Sequence, residues 1–205
     1  ISQVATIEFS VAVAANSPYK SVTELVAAAK AAPNKITYAS GGNGSPQHLG
    51  GALFAAHTGI DMKHVPYRGA SQAARDVAGN RVDVTFQGIA TVAALAKGGK
   101  LRLIGVMTDA RQAEYPDAKT LKEQGIQGFD FSTWFSLAAP TGTSKEIVDR
   151  LHREVLKALA DPEIKTRFAA LGLKSNGTTP EQLTTLVRSQ LARYGKAIRD
   201  NNITE

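Results

Sequence analysis

Ser40-Gly41-Gly42-Asn43-Gly44-Ser45-Pro46-Gln47-His48 reads as a strand end that runs through flexible turns into a new helix. Ile36 to Ala39 gives it a short apolar and β-branched lead-in. The glycines permit positive φ and a close approach of backbone to a ligand, Ser45 is a good N-cap, and Pro46 suits the first helical position. Unpaired amides and the positive end of the helix dipole then face the loop, which favours an anion. The same kind of start also opens many helices that bind nothing, and Ser45 can occupy one amide by capping its own helix. No Lys followed by Ser or Thr comes after the glycines, and Gln47 breaks the Gly-x-Gly-x-x-Gly spacing begun by Gly42 and Gly44. A nucleoside triphosphate is therefore disfavoured, and a small carboxylate is the simplest anion.

Outward from this loop the chain alternates strand-like and helix-like segments. Phe9 to Ala15 is apolar and β-prone, and Val22, Leu25, Val26 and Ala29 recur at helical spacing behind Ser21. Ile36 to Tyr38 precedes a helix near Pro46 to His57, Met62 to Tyr67 precedes Ser71 to Ala78, and Val82 to Phe86 precedes Ile89 to Lys97. Leu101 to Met107 is a further strand. This alternation predicts an α/β sheet flanked by helices, with a ligand site at the carboxyl ends of strands. After Thr108 the chain becomes a Pro- and Gly-punctuated connection with a short helix at Leu121, then an apolar and aromatic strand from Phe129 to Ala139. Two long helices follow. Ile147, Val148, Leu151, Val155 and Leu159 form one apolar stripe, and Leu183, Leu186, Val187, Leu191, Tyr194 and Ile198 another, both expected to be core. Asp161-Pro162 starts a shorter helix between them that ends at Gly172.

The 205 residues are enough to bury a sizeable core in one large domain or two small ones. Apolar residues make up 43%, with 18 Gly and 8 Pro, as in globular and not disordered chains. There is no Cys, which excludes disulfides, thiolate metal sites and thiol nucleophiles. The formal charge of +6 comes from 24 Lys and Arg against 18 Asp and Glu. These charges are scattered singly, at positions such as Lys157, Lys165, Arg167, Arg188 and Arg199, and form no nucleic-acid stripe. Aromatic residues are too dispersed for a base-stacking platform. No apolar run approaches a membrane span, and no basic segment resembling a signal peptide precedes Ile1.

Catalysis finds no support. Ser45 and His48 with Asp61 lack the Gly-x-Ser-x-Gly elbow, because Pro46 and Gln47 follow the serine. His57, His64 and His152 make no metal-binding spacing, and no cofactor is implied.

The order of motifs resembles the extracytoplasmic solute receptors of tripartite tricarboxylate transporters, the TctC-like or Bug family. The resemblance rests on Thr37-Tyr38-Ala39 followed by the loop through Leu49, on His64-Val65-Pro66-Tyr67-Arg68-Gly69, and on Arg81-Val82-Asp83-Val84-Thr85-Phe86. Further matches are Gly99-Lys100-Leu101-Arg102, the Trp134-Phe135 segment ending in Ala138-Ala139-Pro140-Thr141-Gly142-Thr143, and Ala158-Leu159-Ala160-Asp161-Pro162. It implies an α/β, periplasmic-binding-protein-like, two-lobed fold whose first lobe is incomplete, because the family's opening strand, its glycine-rich anion loop and the following helices have no counterpart. Residues 16–103 are then the inserted lobe, and residues 1–15 and 104–205 the incomplete first lobe with the C-terminal helices. The resemblance further implies a periplasmic receptor, not an enzyme, whose partners are a small organic acid and the membrane components of a tripartite uptake transporter. Binding is expected to be impaired by truncation, and an exposed sheet edge favours homo-oligomers.

By carry-over, Ser40, Gly41, Gly42, Asn43, Gly44, Ser45, Gln47 and His48 hold one ligand carboxylate. Tyr67, Arg68 and Gly69 point toward the same rim, with Arg68 equally suited to an exposed salt bridge. Gln87 stands where the family commonly presents an acidic residue, which favours a plain carboxylate over an amino acid. Thr133 and Trp134 are expected to approach from the other lobe, although burial alone also accounts for Trp134. Two other readings are a cytoplasmic effector-sensing domain of a transcription regulator and an oligomer-forming fragment without binding function.

Overall fold

A thirteen-residue strand, β1 (Ser2–Ala14), runs through both halves of the molecule. In the computed structural model, which describes residues 1–200 and Ile203, the chain falls into two compact units. One comprises Ile1–Ile7 and Thr133–Lys196, the other Glu8–Ser132 with the described residues from Ala197 on. The stretch 16–103 lies inside the larger unit. From Phe9 to Ala14 β1 is buried throughout, because strands pack on either side of it and its residues are mostly small or β-branched.

In the larger unit β1 is followed by α1 (Val22–Ala31), β2 (Thr37–Ser40), α2 (Pro46–Thr58), β3 (Lys63–Pro66), α3 (Ala70–Ala78), β4 (Val84–Gly88), α4 (Ile89–Lys97) and β5 (Leu101–Val106). The strands lie in the order β3-β2-β4-β1-β5. β2 pairs in parallel with β3, Tyr38 opposite His64, and with β4, Ala39 opposite Thr85. β1 is antiparallel to both of its neighbours, Val11 facing Phe86 and Gly105, with a register shift between Val11 and Ala12 on the β5 side. The predicted strand–helix alternation is present in order. The insertion of β1 between β4 and β5 is not visible in that alternation, since a strand whose partners, such as Val84 for Val13 and Val106 for Ser10, lie so far along the chain leaves no local pattern.

Local chemistry explains the helix ends. The Ser21 hydroxyl accepts from Glu24 N, and the Glu24 carboxylate accepts from Lys20 N at 2.7 Å, a reciprocal cap for α1. Gly59 ends α2 in the left-handed conformation, its N–H donating to Ala55 O. Gly51 brings α2 flush against the sheet, and Gly50 lets it meet the ring of Phe131. A Cβ on Gly51 would lie 2.5 Å from Tyr38 Cε2 and 3.0 Å from Phe86 Cδ2. Phe54, Phe86, Val77, Val92 and Val106 fill the core.

The smaller unit holds β6 (Ser132–Leu137) from its second residue on, α5 (Lys145–Ala160), α6 (Pro162–Ala170), β7 (Leu173–Ser175) and most of α7 (Pro180–Asp200). β7 runs antiparallel to the first half of β1, Ala5 opposite Ser175, and β6 also pairs with β1. Ser2 and Thr178 lock this edge: the Ser2 hydroxyl lies 2.9 Å from Thr178 O, and Gln3 N donates to Thr178 Oγ1 at 2.9 Å. Ser144 caps α5 and Asp161 caps α6. The two apolar stripes expected to be core are buried only in part. Leu159 and Leu183 are buried, whereas Ile147 is 52% and Leu191 69% exposed. Amphipathic spacing records which face prefers burial, not whether a partner covers it. At three residues, β7 is too short to declare a period in the sequence.

Candidate functional site

Three parallel strands, β3, β2 and β4, each hand the chain to a helix at their carboxyl ends, so the starts of α3, α2 and α4 gather at one end of the sheet. The β2–α2 loop lies among them. A Cβ on Gly41 would stand 3.2 Å from both Ala70 N and Gln47 Oε1, which measures how closely the loop approaches the start of α3. Gly42 and Gly44 have φ of 128° and 69°, conformations that require glycine or strain other residues.

The loop is held largely by its own groups. Ser45 N donates to Gly42 O at 3.2 Å, and the Ser45 hydroxyl donates to the same carbonyl at 2.7 Å while accepting from His48 N at 3.3 Å. The hydroxyl of the fully buried Ser40 accepts from Gly42 N at 3.1 Å and lies 2.6 Å from His64 Nε2. Gly44 N donates to His48 Nδ1 at 3.2 Å. Among the described residues this leaves the amides of Gly41, Asn43 and Gln47 without a protein partner, while those of Gly42, Gly44, Ser45 and His48 are engaged.

Gln87 joins the helix starts from beneath. It is fully buried, its Oε1 accepts from Gln47 Nε2 at 2.8 Å, its Nε2 donates to Ala70 O at 2.9 Å, and its carbonyl accepts from the Ser10 hydroxyl. The side chain thereby ties α2 to α3 at the base of α4. Neither α3, which starts after Gly69, nor α4, which starts after Gly88, has a side-chain cap, so their first amides stay open.

His48 and His64 stack face to face, ring centroids 3.7 Å apart and 10° from parallel. Tyr38 packs against His64 at 4.9 Å. Burial lowers the pKa of His48, and burial followed by repulsion from His48 lowers that of His64 to about 4. Both rings are neutral at physiological pH. Burial also raises the Tyr38 phenol, which stays protonated.

Tyr67 follows β3, and its N–H donates to Ser40 O. Its hydroxyl has a raised pKa, through burial first and then a bond to Asp76, which also pairs with Arg81 at 2.8 Å. Arg68 is exposed, and Gly69, with φ 153°, turns the chain into α3. Asn43 is exposed at the loop tip. The structure thus brings Ser40, Gly41, Gly42, Asn43, Gly44, Ser45, Gln47, His48, Tyr67, Gly69 and Gln87 to one sheet end. Thr133 and Trp134 lie on β6 in the smaller unit, both partly buried.

The place of His64 in the stack and the open starts at Ala70 and Ile89 are not legible in the local sequence. The role of His64 follows from its register opposite Tyr38, and the open starts from Gly69 and Gly88 at N-caps, a weak signal because glycine is only modestly favoured there. Among the described residues no group of three potential ligands could hold a metal, and no helix is long and apolar enough to cross a membrane.

Open donors at the carboxyl ends of parallel strands lie where α/β folds place ligands, and solved periplasmic binding proteins share this fold. The chain superposes on an R. palustris protein, Rpa4515, solved with adipate, at a TM-score of 0.85 with 28% identity, covering 98% of this chain and 68% of that one. It superposes on the periplasmic binding protein BugD at 0.82 with 28% identity, covering 99% and 69%. A curated relative from Pseudomonas sp. strain P51, the UPF0065 protein of the tcbD-tcbE intergenic region, is 35% identical over 95% of this chain and 58% of its own length. BugT of Bordetella pertussis is 29% identical over 88% of this chain and 55% of its length. The model of the tripartite tricarboxylate transporter family receptor matches residues 1–203, and the chain belongs to that family. Membership is consistent with a periplasmic location and with solute binding in place of catalysis. The chain spans a little over half the length of these two curated relatives.

Proposed function

We propose that this chain carries a carboxylate-binding end of a periplasmic receptor that delivers a small organic acid, such as a dicarboxylate, to the membrane components of a tripartite transporter. The observation that carries the reading is the convergence of three helix starts on the β2–α2 loop, with uncharged donors and open amides at one sheet end. An anion fits such a place because backbone N–H groups and helix dipoles stabilise negative charge without a counter-ion.

The direct donors are the amides of Gly41, Asn43 and Gln47, joined by those at Ala70 and Ser71, with the Asn43 carboxamide at the tip. Ser40, Gly42, Gly44, Ser45, His48 and Gln87 hold the frame, and Tyr67 and Gly69 form its rim. The buried carboxamide of Gln87 offers no charge to a ligand ammonium, which supports a plain acid over an amino acid. The adipate bound by the R. palustris relative supports the same class. The family match supports the receptor reading over a regulator's effector domain.

A second lobe that closes on a ligand desolvates both of its ends and adds charge-assisted bonds. We therefore infer weaker binding by this span than by the same span joined to the remaining portion of a family receptor, and self-association through exposed apolar surface such as Leu191. Calorimetry with adipate, succinate and citrate tests the reading. Saturable binding of at least one acid, weakened by Gly44→Val, is expected. No binding by either form, or equal affinity of the wild type and a folded Gly44→Val variant, overturns it.

A further inference from the structure

The stacked imidazoles do more than fill space, because each is tied to the loop by a bond that fixes its protonation. Gly42 O already takes two bonds from Ser45, through N at 3.2 Å and Oγ at 2.7 Å. We assign the single proton of the Ser40 hydroxyl to His64 Nε2, 2.6 Å away and the shorter of its two options, over Gly42 O at 3.0 Å. This leaves the proton of His64 on Nδ1. His48 accepts from Gly44 N at Nδ1, so its own proton is on Nε2. The two tautomers are opposite: the Gly44 bond needs a neutral His48, and the Ser40 bond keeps this direction only while His64 is neutral.

We propose that the His48–His64 stack is a latch that positions the Ser40–Ser45 loop for its ligand and opens when either imidazole takes up a proton. The effect on binding rests on the acid-receptor reading above; the effect on the loop does not. A proton on His48 Nδ1 removes the acceptor of Gly44 N–H and leaves that amide facing a donor. A proton on His64 Nε2 turns Ser40 from donor to acceptor, and its hydroxyl proton must then crowd onto Gly42 O. Two charged rings at 3.7 Å repel each other.

Among the described residues, His48 is the charge that acts on His64, and burial alone shifts His48. From β2 come Tyr38, which stays protonated, and Ser40; from the loop come only Gly, Asn and Ser; from α2 comes the neutral Gln47. The neighbour of His64 on β3, Lys63, is exposed and itself cationic. The lowered pKa of both rings agrees with this geometry. A depressed histidine pKa means that the unfolded or opened state binds more protons, so the closed loop is fully stable above about pH 6.5 and loses stability as pH falls through the folded values.

Long-range proton–nitrogen NMR of the histidine rings, with amide protection of Gly42 and Gly44 followed from about pH 8 to about pH 3.5, tests the latch without any ligand. The expected result is opposite tautomers for the two rings and, relative to the intrinsic exchange rate at each pH, lower protection of both amides as either ring titrates. His64→Phe keeps a flat ring but cannot hold Ser40, and should raise exchange at Gly42 about tenfold at neutral pH. His64→Gln, which can still accept from Ser40 but does not titrate, should restore protection and flatten the pH profile. The same tautomer on both rings, an unshifted His64 titrating near 6.5, or equal Gly42 exchange in wild type and both variants overturns the proposal. Adipate, succinate and citrate titrations of the same samples report separately: wild type binding none of them counts against the acid-receptor reading, while the amide data still decide the latch.

Discussion

The starts of α2 and α3 adjoin at one sheet end and are built in opposite ways. α2 begins with the sequence that most resembles an anion site, yet Ser45 and His48 take up amides there, and Pro46 contributes no N–H. α3 begins with a bare glycine and no cap, and its first amides remain available. A strong capping signature stabilises the helix by using the donors that a ligand would need, so the better-looking N-terminus is the more self-satisfied one. Gln87 couples the two by holding Gln47 on one side and Ala70 on the other.

Four substitutions break or sharpen this contrast. Gln87→Glu has the largest expected effect, because one carboxyl oxygen would face the Ala70 carbonyl and must keep its proton to donate. The pKa of that carboxyl is then raised above about 4.3, so the variant matches wild type below that pH and loses stability as pH rises through the raised value. Urea unfolding at neutral pH should show a loss of about 3 kcal/mol that shrinks in acid. A loss independent of pH would mean that Gln87 does not bridge the two starts.

Gly51→Ala acts on α2 alone by forcing a methyl within 2.5 Å of Tyr38. A destabilisation of about 2 kcal/mol by denaturant titration is expected. Gly69→Ala acts on the α3 start, where φ of 153° strains any side chain although nothing crowds the position. It should cost about 1.5 kcal/mol of stability and weaken acid binding in calorimetry. Ser45→Ala removes the cap of α2 and should cost about 1 kcal/mol, with a smaller loss of acid affinity than Gly69→Ala. The reverse order of the two affinity losses would return the anion to α2.

Much of the frame was legible because its causes are local. The Ser21 and Ser45 caps, the Pro46 start, the Asp161-Pro162 start and the strand–helix alternation from Ile36 to Val106 depend on neighbours within a few residues. α4 was readable to the residue, since its run from Ile89 to Lys97 is bounded by glycines. The site was legible as a place more than as a set of roles. Ser40, Gln87 and His48 read as ligand contacts from their motifs, and in the structure Ser40 Oγ, both carboxamide atoms of Gln87 and Nδ1 of His48 are bonded within the protein.

By itself the sequence determined the helix and strand periods, the caps, the glycines at positive φ and, through its ordered motifs, the family. Tertiary structure alone decided that β1 separates β4 from β5, that Tyr38 faces His64, that Gln87 spans two helix starts, and how much of each apolar stripe is covered. The physical reason is one of range. Backbone propensity and capping act over three or four residues, whereas strand register, burial and the partners of a buried amide are set by groups brought together from tens of residues apart.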